Sequence, residues 1–281
     1  MNIFLTGGTG FIGKYILKEI LSSGNNIKLA IRPSSLISLE QEFATQSLKI
    51  IRSDLDNIQS KDLEGIDLVL HIAAIGVSPQ KASISQYLSV NVKDSLELFL
   101  KAEKAGVKRF VMTGTCHEYG LSCDKYKFIP PNAPLIPLTN YGSSKVAAFH
   151  LLRNYSLYSK MEFCYLRLFH IYGEGQYKKN FWSQLRSASL DGDNFVINNP
   201  DIIRDFLKVD MAAKKIIDKA FNNPMKPGSP IVKNIASGIP ITLREFAKKE
   251  WKELGSKGNL IFSEVDPNHL AQQRIVAEIN T

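Results

Sequence analysis

A glycine-rich turn directly after the first apolar segment constrains the fold of this chain most. Residues 3–5 are apolar, and residues 6–13 read Thr-Gly-Gly-Thr-Gly-Phe-Ile-Gly. In a strand–turn–helix unit, Gly7 permits the tight turn, Gly10 permits the backbone to approach a diphosphate, and Gly13 permits close packing of helix on sheet. The helix that follows directs free N–H groups and the positive end of its dipole at that anion. The sequence therefore predicts a dinucleotide site at its first strand.

The order of elements predicts the fold class. Strand-like apolar runs alternate with helical patterns over the first 165 residues, which indicates a parallel sheet covered by helices on both faces. Right-handed crossovers make such a sheet doubly wound. We expect an α/β protein with a dinucleotide-binding domain over 1–165 and a smaller substrate lobe over 166–281, of which about 204–222 returns to the first domain. The predicted strands are Ile27–Ile31, Leu48–Ile51, Leu68–Ala73, Arg109–Thr113, Phe163–Leu168 and Ile231–Ile235, and the predicted helices are Ile84–Ala105, Ser143–Ser159, Lys208–Phe221 and Leu243–Leu254.

Composition argues against several classes of protein. No apolar run approaches the roughly 20 residues needed to cross a bilayer, and the start lacks the pattern of a signal peptide. The three cysteines show neither metal-ligand spacing nor a paired framework, so we expect reduced thiols, no metal and a cytoplasmic location. The net charge of +8 would attract phosphorylated ligands, although a solvated, lysine-rich surface is the favoured interpretation. Its lysines are scattered and lack interleaved aromatic residues, so we expect neither a nucleic-acid nor a membrane partner.

A tyrosine and a lysine supply a candidate for proton transfer. Tyr141 and Lys145 are four residues apart and share one face of a predicted helix. An ammonium beside a phenol stabilises the phenolate and is expected to lower its pKa towards neutrality, which suits exchange of a proton with an alcohol or ketone oxygen. The hydroxyl of Thr115, just after a predicted strand, would hold the same oxygen. Alone, such a pair is more often an exposed pair on a helix.

Further short motifs follow one another along nearly the whole chain. They are Gly7-x-x-Gly10-x-x-Gly13, Asp54-Leu55, His71-Ile72-Ala73-Ala74, Asn91-Val92, Thr115 four residues before Tyr119-Gly120, Tyr141-x-x-x-Lys145, Arg167 with Tyr172-Gly173, and Arg204-Asp205-Phe206 before Val209-Asp210. In these motifs and their spacing the chain resembles the extended short-chain dehydrogenases/reductases of the nucleotide-sugar epimerase/dehydratase group.

This resemblance implies a Rossmann sheet, a nicotinamide cofactor and a nucleotide-sugar substrate. It makes Tyr141 the acid/base, Lys145 the group that tunes it and holds the nicotinamide ribose, and Thr115 an assistant. Arg204 resembles the arginine that pairs with the diphosphate of the substrate. The implied cofactor contacts are Gly7, Gly10, Phe11, Ile12, Gly13, Arg32, Asp54, Leu55, Ala73, Ala74, Asn91, Tyr141 and Lys145. The implied substrate contacts are Thr115, Cys116, His117, His170, Asn180 and Arg204.

Arg32 departs from the commoner family pattern. Many relatives end the second strand in an acidic residue that accepts from the adenosine 2′-hydroxyl, whereas this chain has Arg32 followed by Pro33, Ser34 and Ser35. A guanidinium attracts a 2′-phosphate that a carboxylate would repel. The sequence therefore favours NADP(H). An arginine stacked on adenine and facing solvent would leave NAD(H) open.

The residues after Thr115 bear on the reaction. Sugar 4,6-dehydratases of the group carry an acidic pair there, whereas this chain has Cys116 and His117. We therefore expect an NADPH-dependent reductase of a dTDP- or CDP-linked 4-keto-6-deoxyhexose, acting in deoxysugar and surface-polysaccharide (O-antigen) synthesis. Two alternatives stay open: an epimerase that keeps NAD bound, and a dinucleotide sensor that has lost turnover.

Several residues keep two interpretations. His170 either donates to phosphate or is a packed histidine, and Asn180 either contacts the nucleotide or begins a helix. His71 is expected to be a strand residue, and Cys116 a small filler without an activating partner. Arg274 is a candidate second arginine for the diphosphate. Relatives usually continue beyond the last residues with a helix that closes the substrate lobe, and a homodimer through the predicted helices Ile84–Ala105 and Ser143–Ser159 is left open.

Overall fold

The structure, a computed structural model, describes residues 1–33, 47–77, 80–263 and 272–279. Its strands are β1 (Asn2–Thr6), β2 (Asn26–Ile31), β3 (Leu48–Arg52), β4 (Leu68–His71), β5 (Arg109–Thr115), β6 (Glu162–Leu168), β7 (His170–Tyr172), β8 (Phe195–Ile197), β9 (Ile203–Arg204), β10 (Phe206–Lys208), β11 (Ile231–Ile235), β12 (Ile241–Thr242), β13 (Leu260–Phe262) and β14 (Arg274–Ile275). Its longer helices are α1 (Phe11–Ser22), α2 (three consecutive segments, Ile84–Gln86, Tyr87–Asp94 and Ser95–Lys104), α3 (Asn140–Ser156), α4 (Phe181–Asp191), α5 (Val209–Phe221) and α6 (Leu243–Glu253).

Seven strands form one parallel sheet in the order β11-β6-β5-β4-β1-β2-β3. The chain leaves β1 towards β2 and β3, and later returns to the other side of β1 as β4, β5 and β6. The strand order therefore reverses beside β1, and ligands of such sheets bind at this point, outside the carboxyl ends of the strands. The predicted doubly wound Rossmann fold is confirmed.

Alternate residues of β1 belong to different cores because both faces of the sheet are buried. Ile3 and Leu5 pack with apolar residues of α1 and α5, whereas Phe4 packs with apolar residues of α2 and α3. A parallel strand covered on both faces needs an unbroken apolar run, which is what residues 3–5 supply. The glycine turn after β1 is thus held by two packed layers.

The middle of α2 is a π-helix over Tyr87–Asp94, where the sequence predicts one continuous helix. Asn91 lies in this segment and is 1% exposed. Its Oδ1 accepts from the backbone N of Ile75 (3.0 Å), and its Nδ2 donates to Oγ of Ser144 (3.0 Å). The wider turn therefore carries a side chain that fastens the loop after β4 to α3. π-Turns inside helices occur often at functional sites.

The remaining elements form short sheets and two helices beyond the carboxyl ends of the large sheet. α4 and α6 share an apolar cluster that includes Leu185, Leu243 and Trp251. Thr242 caps α6, and a reciprocal capping box with Glu245 confirms the predicted start of that helix.

Two later elements belong to the large sheet and its cover rather than to this group. α5 packs against α1, and β11 is the outer strand beside β6. The division of the chain near residue 165 remains an expectation. In the part of the chain that the structure describes, no helix is both long and apolar enough to cross a membrane.

Candidate active site

The glycine turn has the geometry that its spacing predicts. Gly7 has φ +75°, and a Cβ there would lie 2.6 Å from the backbone N of Ala73. A Cβ at Gly13 would collide with the backbone oxygen of Gly7, so α1 approaches the turn as closely as a glycine allows. A Cβ at Gly10 would meet only the oxygen of Gly7, at 3.2 Å. Gly10 therefore leaves open space for a ligand, whereas Gly7 and Gly13 serve close packing of the protein.

His71 closes β4 beneath this turn. Its Nδ1 lies 2.7 Å from Oγ1 of Thr6 and its Nε2 lies 2.9 Å from Oγ of Ser95, while the ring is 0% exposed. Burial, with a smaller contribution from the charge of Lys145, lowers the pKa of His71 to about 3. His71 is therefore a neutral strand residue, as the sequence analysis expects.

One elongated cavity of about 1170 Å³ runs along the carboxyl ends of the strands. It collects most of the residues singled out in the sequence. These are Gly7, Gly10, Phe11, Ile12, Gly13, Arg32, Asp54, Leu55, Ala73, Ala74, Thr115, Cys116, His117, Tyr141, His170 and Asn180. Within the described residues, Asn91, Lys145 and Arg204 lie behind its lining.

The end of the cavity beside β2 and β3 carries mixed charge. Arg32 is exposed there, and Ser53, Asp54, Asp56 and Lys93 line the same cavity. The guanidinium is therefore accessible to a ligand, although carboxylates lie at the same end. Ser34 and Ser35, the hydroxyls of the Arg32 hypothesis, lie outside the described residues.

Thr115 and Tyr141 approach the cavity from two different elements. Thr115 is the last residue of β5, and Tyr141 is the second residue of α3, which Thr139 caps through a bond from the backbone N of Gly142 (3.0 Å). A Cβ at Gly142 would lie 2.7 Å from the backbone oxygen of His117. A glycine after Tyr141 thus lets α3 pack against the loop that follows Thr115, and both side chains reach the same cavity.

Burial dominates the electrostatics of this pair of elements. It raises the pKa of Tyr141 above its usual range, and the carboxylate of Glu118 adds to that rise. The expected lowering of this pKa is wrong for the structure, because burial raises it and the neighbouring Glu118, Cys116 and Tyr87 raise it further. Lys145 is 2% exposed, and burial lowers its pKa to about 8 while Glu118 opposes the change. Tyr141 is therefore held as the neutral phenol.

Apart from Arg204, the predicted substrate residues line the cavity, on the side of β1 away from β2 and β3. Burial raises the pKa of the Cys116 thiol, which makes it a packed side chain rather than a nucleophile. Burial and the charge of Arg204 lower the pKa of both His117 and His170, so both imidazoles are neutral. Nδ1 of His170 is buried and has no hydrogen-bond partner among the described residues. Asn180 is the N-cap residue of α4, but its side chain makes no capping bond and borders the cavity.

The two candidate arginines differ in their surroundings. Arg204 is 9% exposed, lies close enough to His117 and His170 to affect both, and donates to the backbone oxygen of Ile203 (2.9 Å). Arg274 instead donates from Nε to the backbone oxygen of Lys127 (2.7 Å) and lies over the ring of Phe128. Arg204 therefore remains a candidate for the diphosphate, whereas the guanidinium of Arg274 already has partners in the protein.

Two buried carboxylates near the cavity were not singled out in the sequence. Glu118 lies behind Thr115, and its position three residues later is a capping-box signal that can be read in the sequence. Glu250 accepts from Nε1 of Trp182 (2.7 Å) and from the hydroxyl of Tyr172 (3.3 Å), and both aromatic residues border the cavity. Glu250 is distant in sequence from both, so no local pattern identifies it.

The parallel sheet, the glycine turn at the end of β1 and the long cavity above it define a dinucleotide-binding α/β protein. Residues 3–236 match the family described as "NAD dependent epimerase/dehydratase family". The chain belongs to this family, whose members are NAD-dependent nucleotide-sugar oxidoreductases and epimerases.

Individual relatives differ in their named reactions. A dTDP-6-deoxy-L-talose 4-dehydrogenase (NAD(+)) of Aggregatibacter actinomycetemcomitans is 22% identical over 254 residues, which cover 87% of each chain. A putative UDP-glucose 4-epimerase of Methanocaldococcus jannaschii is 26% identical over 275 residues, covering 92% of this chain and 85% of its own. Alignments with several other UDP-glucose 4-epimerases span about half of their lengths. The structure of MoeE5 in complex with UDP-glucuronic acid and NAD has a TM-score of 0.83 and 26% identity, and the match covers all of this chain and 90% of that one.

Proposed function

We propose that this protein reduces the keto group of a nucleotide-linked 4-keto-6-deoxyhexose, with dTDP or CDP as the carrier, in the synthesis of a deoxysugar. The observation that carries the proposal is the meeting of Thr115 and a neutral Tyr141 in one cavity with the glycine turn. The Aggregatibacter relative supports it, because a 4-dehydrogenase of a dTDP-linked 6-deoxyhexose catalyses the reverse reaction at the same carbon.

The glycine turn and the cavity above it would hold a reduced nicotinamide coenzyme, which would supply a hydride for the keto carbon. The phenol of Tyr141 donates its proton to the oxygen as negative charge develops there. The hydroxyl of Thr115 donates a hydrogen bond to the same oxygen, and the Lys145 ammonium behind Tyr141 stabilises the phenolate that remains. Tyr141 is in the protonated form that a reductase needs, and the Lys145 ammonium would favour release of that proton to the developing alkoxide.

Elimination of water is disfavoured by the position of the nearest acid. Cys116 and His117 occupy the positions at which sugar 4,6-dehydratases of this group carry an acidic pair, and Cys116 is a buried thiol. Glu118 is 0% exposed, and Arg167 binds its carboxylate at 2.6 Å, on the side away from the cavity. No carboxylate among Thr115–Glu118 thus faces the cavity to accept a proton from the sugar carbon.

The identity of the cofactor distinguishes the two candidate functions, a reductase and an epimerase. Exposed Arg32 supports NADP(H), which a reductase exchanges at each turnover. The NAD in the MoeE5 complex, together with Asp54 and Asp56 at the adenosine end, supports the second candidate, an epimerase with resident NAD. An intact Thr115 and Tyr141 at the cavity argue against a sensor without turnover.

One assay separates these candidates. Purified protein is mixed with NADPH or NADH and a panel of nucleotide-linked 4-keto-6-deoxyhexoses, and the absorbance of the reduced nicotinamide is followed. With NADPH, the reductase is expected to consume one reduced nicotinamide for each keto sugar, seen as loss of absorbance. Interconversion of sugars without added coenzyme would instead establish the epimerase.

The proton donor is tested by Tyr141→Phe, with Tyr158→Phe as the matched control because Tyr158 is 86% exposed. Loss of the phenol is expected to lower kcat by roughly 10²- to 10⁴-fold, the usual contribution of a positioned acid. Binding of NADPH, measured by fluorescence, should change by less than about two-fold in both variants, since neither removes a cofactor-binding charge. A Tyr141→Phe enzyme that keeps most of its rate would rule out the proposed proton donor.

A further inference from the structure

The carboxylate of Glu118 is fixed behind the proposed reacting groups by three hydrogen bonds. Its Oε1 accepts from the backbone N of Thr115 (2.8 Å) and from the hydroxyl of Tyr165 (2.8 Å). Its Oε2 accepts from Nε of Arg167 (2.6 Å). The side chain is 0% exposed and does not border the cavity. Glu118 therefore cannot contact a substrate directly.

Its partner Arg167 is held as firmly. The Arg167 side chain is 1% exposed, and its Nη1 donates to the backbone oxygen of Pro131 (2.8 Å). Its guanidinium carbon lies 4.4 Å from the ring centre of Phe149 and 5.0 Å from that of Tyr119. Because burial leaves this cation no water, it depends on the Glu118 carboxylate for compensation.

Glu118 also connects the strand that ends in Thr115 with the helix that carries Lys145. The Tyr165 hydroxyl that binds Oε1 lies 3.2 Å from the backbone oxygen of Lys145. A Cβ at Gly114 would collide with Oε1 of Glu118 and with the ring of Tyr165. The packing thus reserves this space for one carboxylate, which accepts from the backbone N of Thr115, and one phenol, which donates to that carboxylate and lies beside the backbone oxygen of Lys145.

We propose that Glu118 is a positioning residue, which orients Thr115 through its backbone and supplies the fixed negative charge that compensates the buried Lys145 ammonium. The proposal rests on the proposed function for the use made of Thr115 and Lys145, but the contacts that define it are independent of any reaction. Arg167 binds Oε2, whereas Oε1 lies on the side of Thr115 and Tyr165, so the ion pair presents its negative end to that side.

The pKa of Lys145 follows from this arrangement. Burial lowers it to about 8, and Glu118 raises it. Loss of the Glu118 charge should therefore lower it further and leave less of the ammonium near neutral pH. Among the described residues, the other titratable or charged groups around Lys145 and Glu118 are His71 from β4, Cys116 and Tyr119 from the segment after β5, Tyr141 from α3, and Tyr165 and Arg167 from β6.

The test measures the ionisation of Lys145 directly. Protein labelled with [ε-¹³C]lysine is titrated by NMR, and the Lys145 resonance is assigned by its loss in Lys145→Arg. In Glu118→Gln the pKa of Lys145 is expected to fall by about one pH unit, the lower range for removal of a nearby opposite charge. Glu118→Gln/Arg167→Met removes both members of the ion pair and covers the case in which the single variant does not fold. Glu250→Gln, at another buried carboxylate, is the matched control.

The outcomes separate this proposal from the proposed function. A fall of the Lys145 pKa in the Glu118 variants but not in Glu250→Gln supports the positioning role, whether or not the wild-type protein reduces a sugar. An unchanged pKa in the Glu118 variants, or an equal fall in the control, would overturn it. Where the reductase assay is positive, Glu118→Gln should also move the pH dependence of kcat to lower pH, which a loss of stability alone would not do.

Discussion

The buried histidine beneath the glycine turn should make this protein sensitive to acid in a way that one substitution removes. His71 has a pKa of about 3 in the folded protein, against 6.5 as its usual value. Between these values only the unfolded chain binds the proton, so the free energy of unfolding falls as the pH falls from 6.5 towards 3. Each pH unit below the usual pKa of 6.5 corresponds to 1.36 kcal/mol. Between pH 7.5 and 4.5, His71 therefore lowers the free energy of unfolding by about 3 kcal/mol.

The measurement is the free energy of unfolding in urea at several pH values between 7.5 and 4.5, for the wild type and for His71→Gln. Glutamine keeps a donor and an acceptor for Thr6 and Ser95 but does not titrate in this range. The variant is expected to be less stable at pH 7.5 and to lose about 3 kcal/mol less on acidification. His117 and His170, whose pKa values are also lowered, titrate in both proteins and cancel in the difference. Parallel curves for the two proteins would refute the linkage.

Two further predictions concern the cofactor. Gly7→Ala should abolish coenzyme binding and cost more stability than Gly24→Ala, because a Cβ at Gly7 meets the Ala73 backbone whereas a Cβ at Gly24, at φ +73°, has nothing within 4 Å. The loss of unfolding free energy in Gly24→Ala, measured in urea, should be about 1–2 kcal/mol from backbone strain alone. Equal losses in the two variants would contradict the packing argument. Arg32→Asp should raise the Kd for NADPH by roughly ten-fold or more, which is about 1.4 kcal/mol, and leave the Kd for NADH nearly unchanged. Arg153→Asp, at an exposed arginine, is the control. Equally weakened binding of both coenzymes would remove the reason for choosing NADPH.

The sheet and the cofactor turn could be predicted because their signals are local. The apolar run at residues 3–5, the glycine spacing after it and the apolar segment at Ile231–Ile235 each depend on near neighbours in the chain. The approach of Thr115 and Tyr141 was also predictable, because parallel strands end at one edge and the helix after that edge begins there. Spacing and strand direction suffice for these features.

Charge states could not be predicted in the same way, because they depend on burial by distant segments. The spacing of Tyr141 and Lys145 suggests a lowered phenol pKa, but packing against α2 and the β5 loop reverses the direction. Likewise, the sequence shows an acidic residue at position 118, and only the fold shows that Arg167, 49 residues away, turns it from the cavity.

The Arg204-Asp205-Phe206 motif shows how adjacent residues of one motif take different tasks. Asp205 is 0% exposed and accepts from the backbone N of Ser237 (2.7 Å), Gly238 (2.9 Å) and Ala277 (3.2 Å), so it fastens the segment after β11 and the segment near the end of the chain to β9 and β10. Phe206, the next residue, stacks on the ring of Phe246 and borders the cavity. Arg204 precedes both in the chain, and its strand β9 pairs with β12 on one side and with β14 on the other. Burial lowers the pKa of the Arg204 guanidinium, and among the described residues no carboxylate forms an ion pair with it, so its desolvation is less compensated than that of Arg167, which pairs with Glu118.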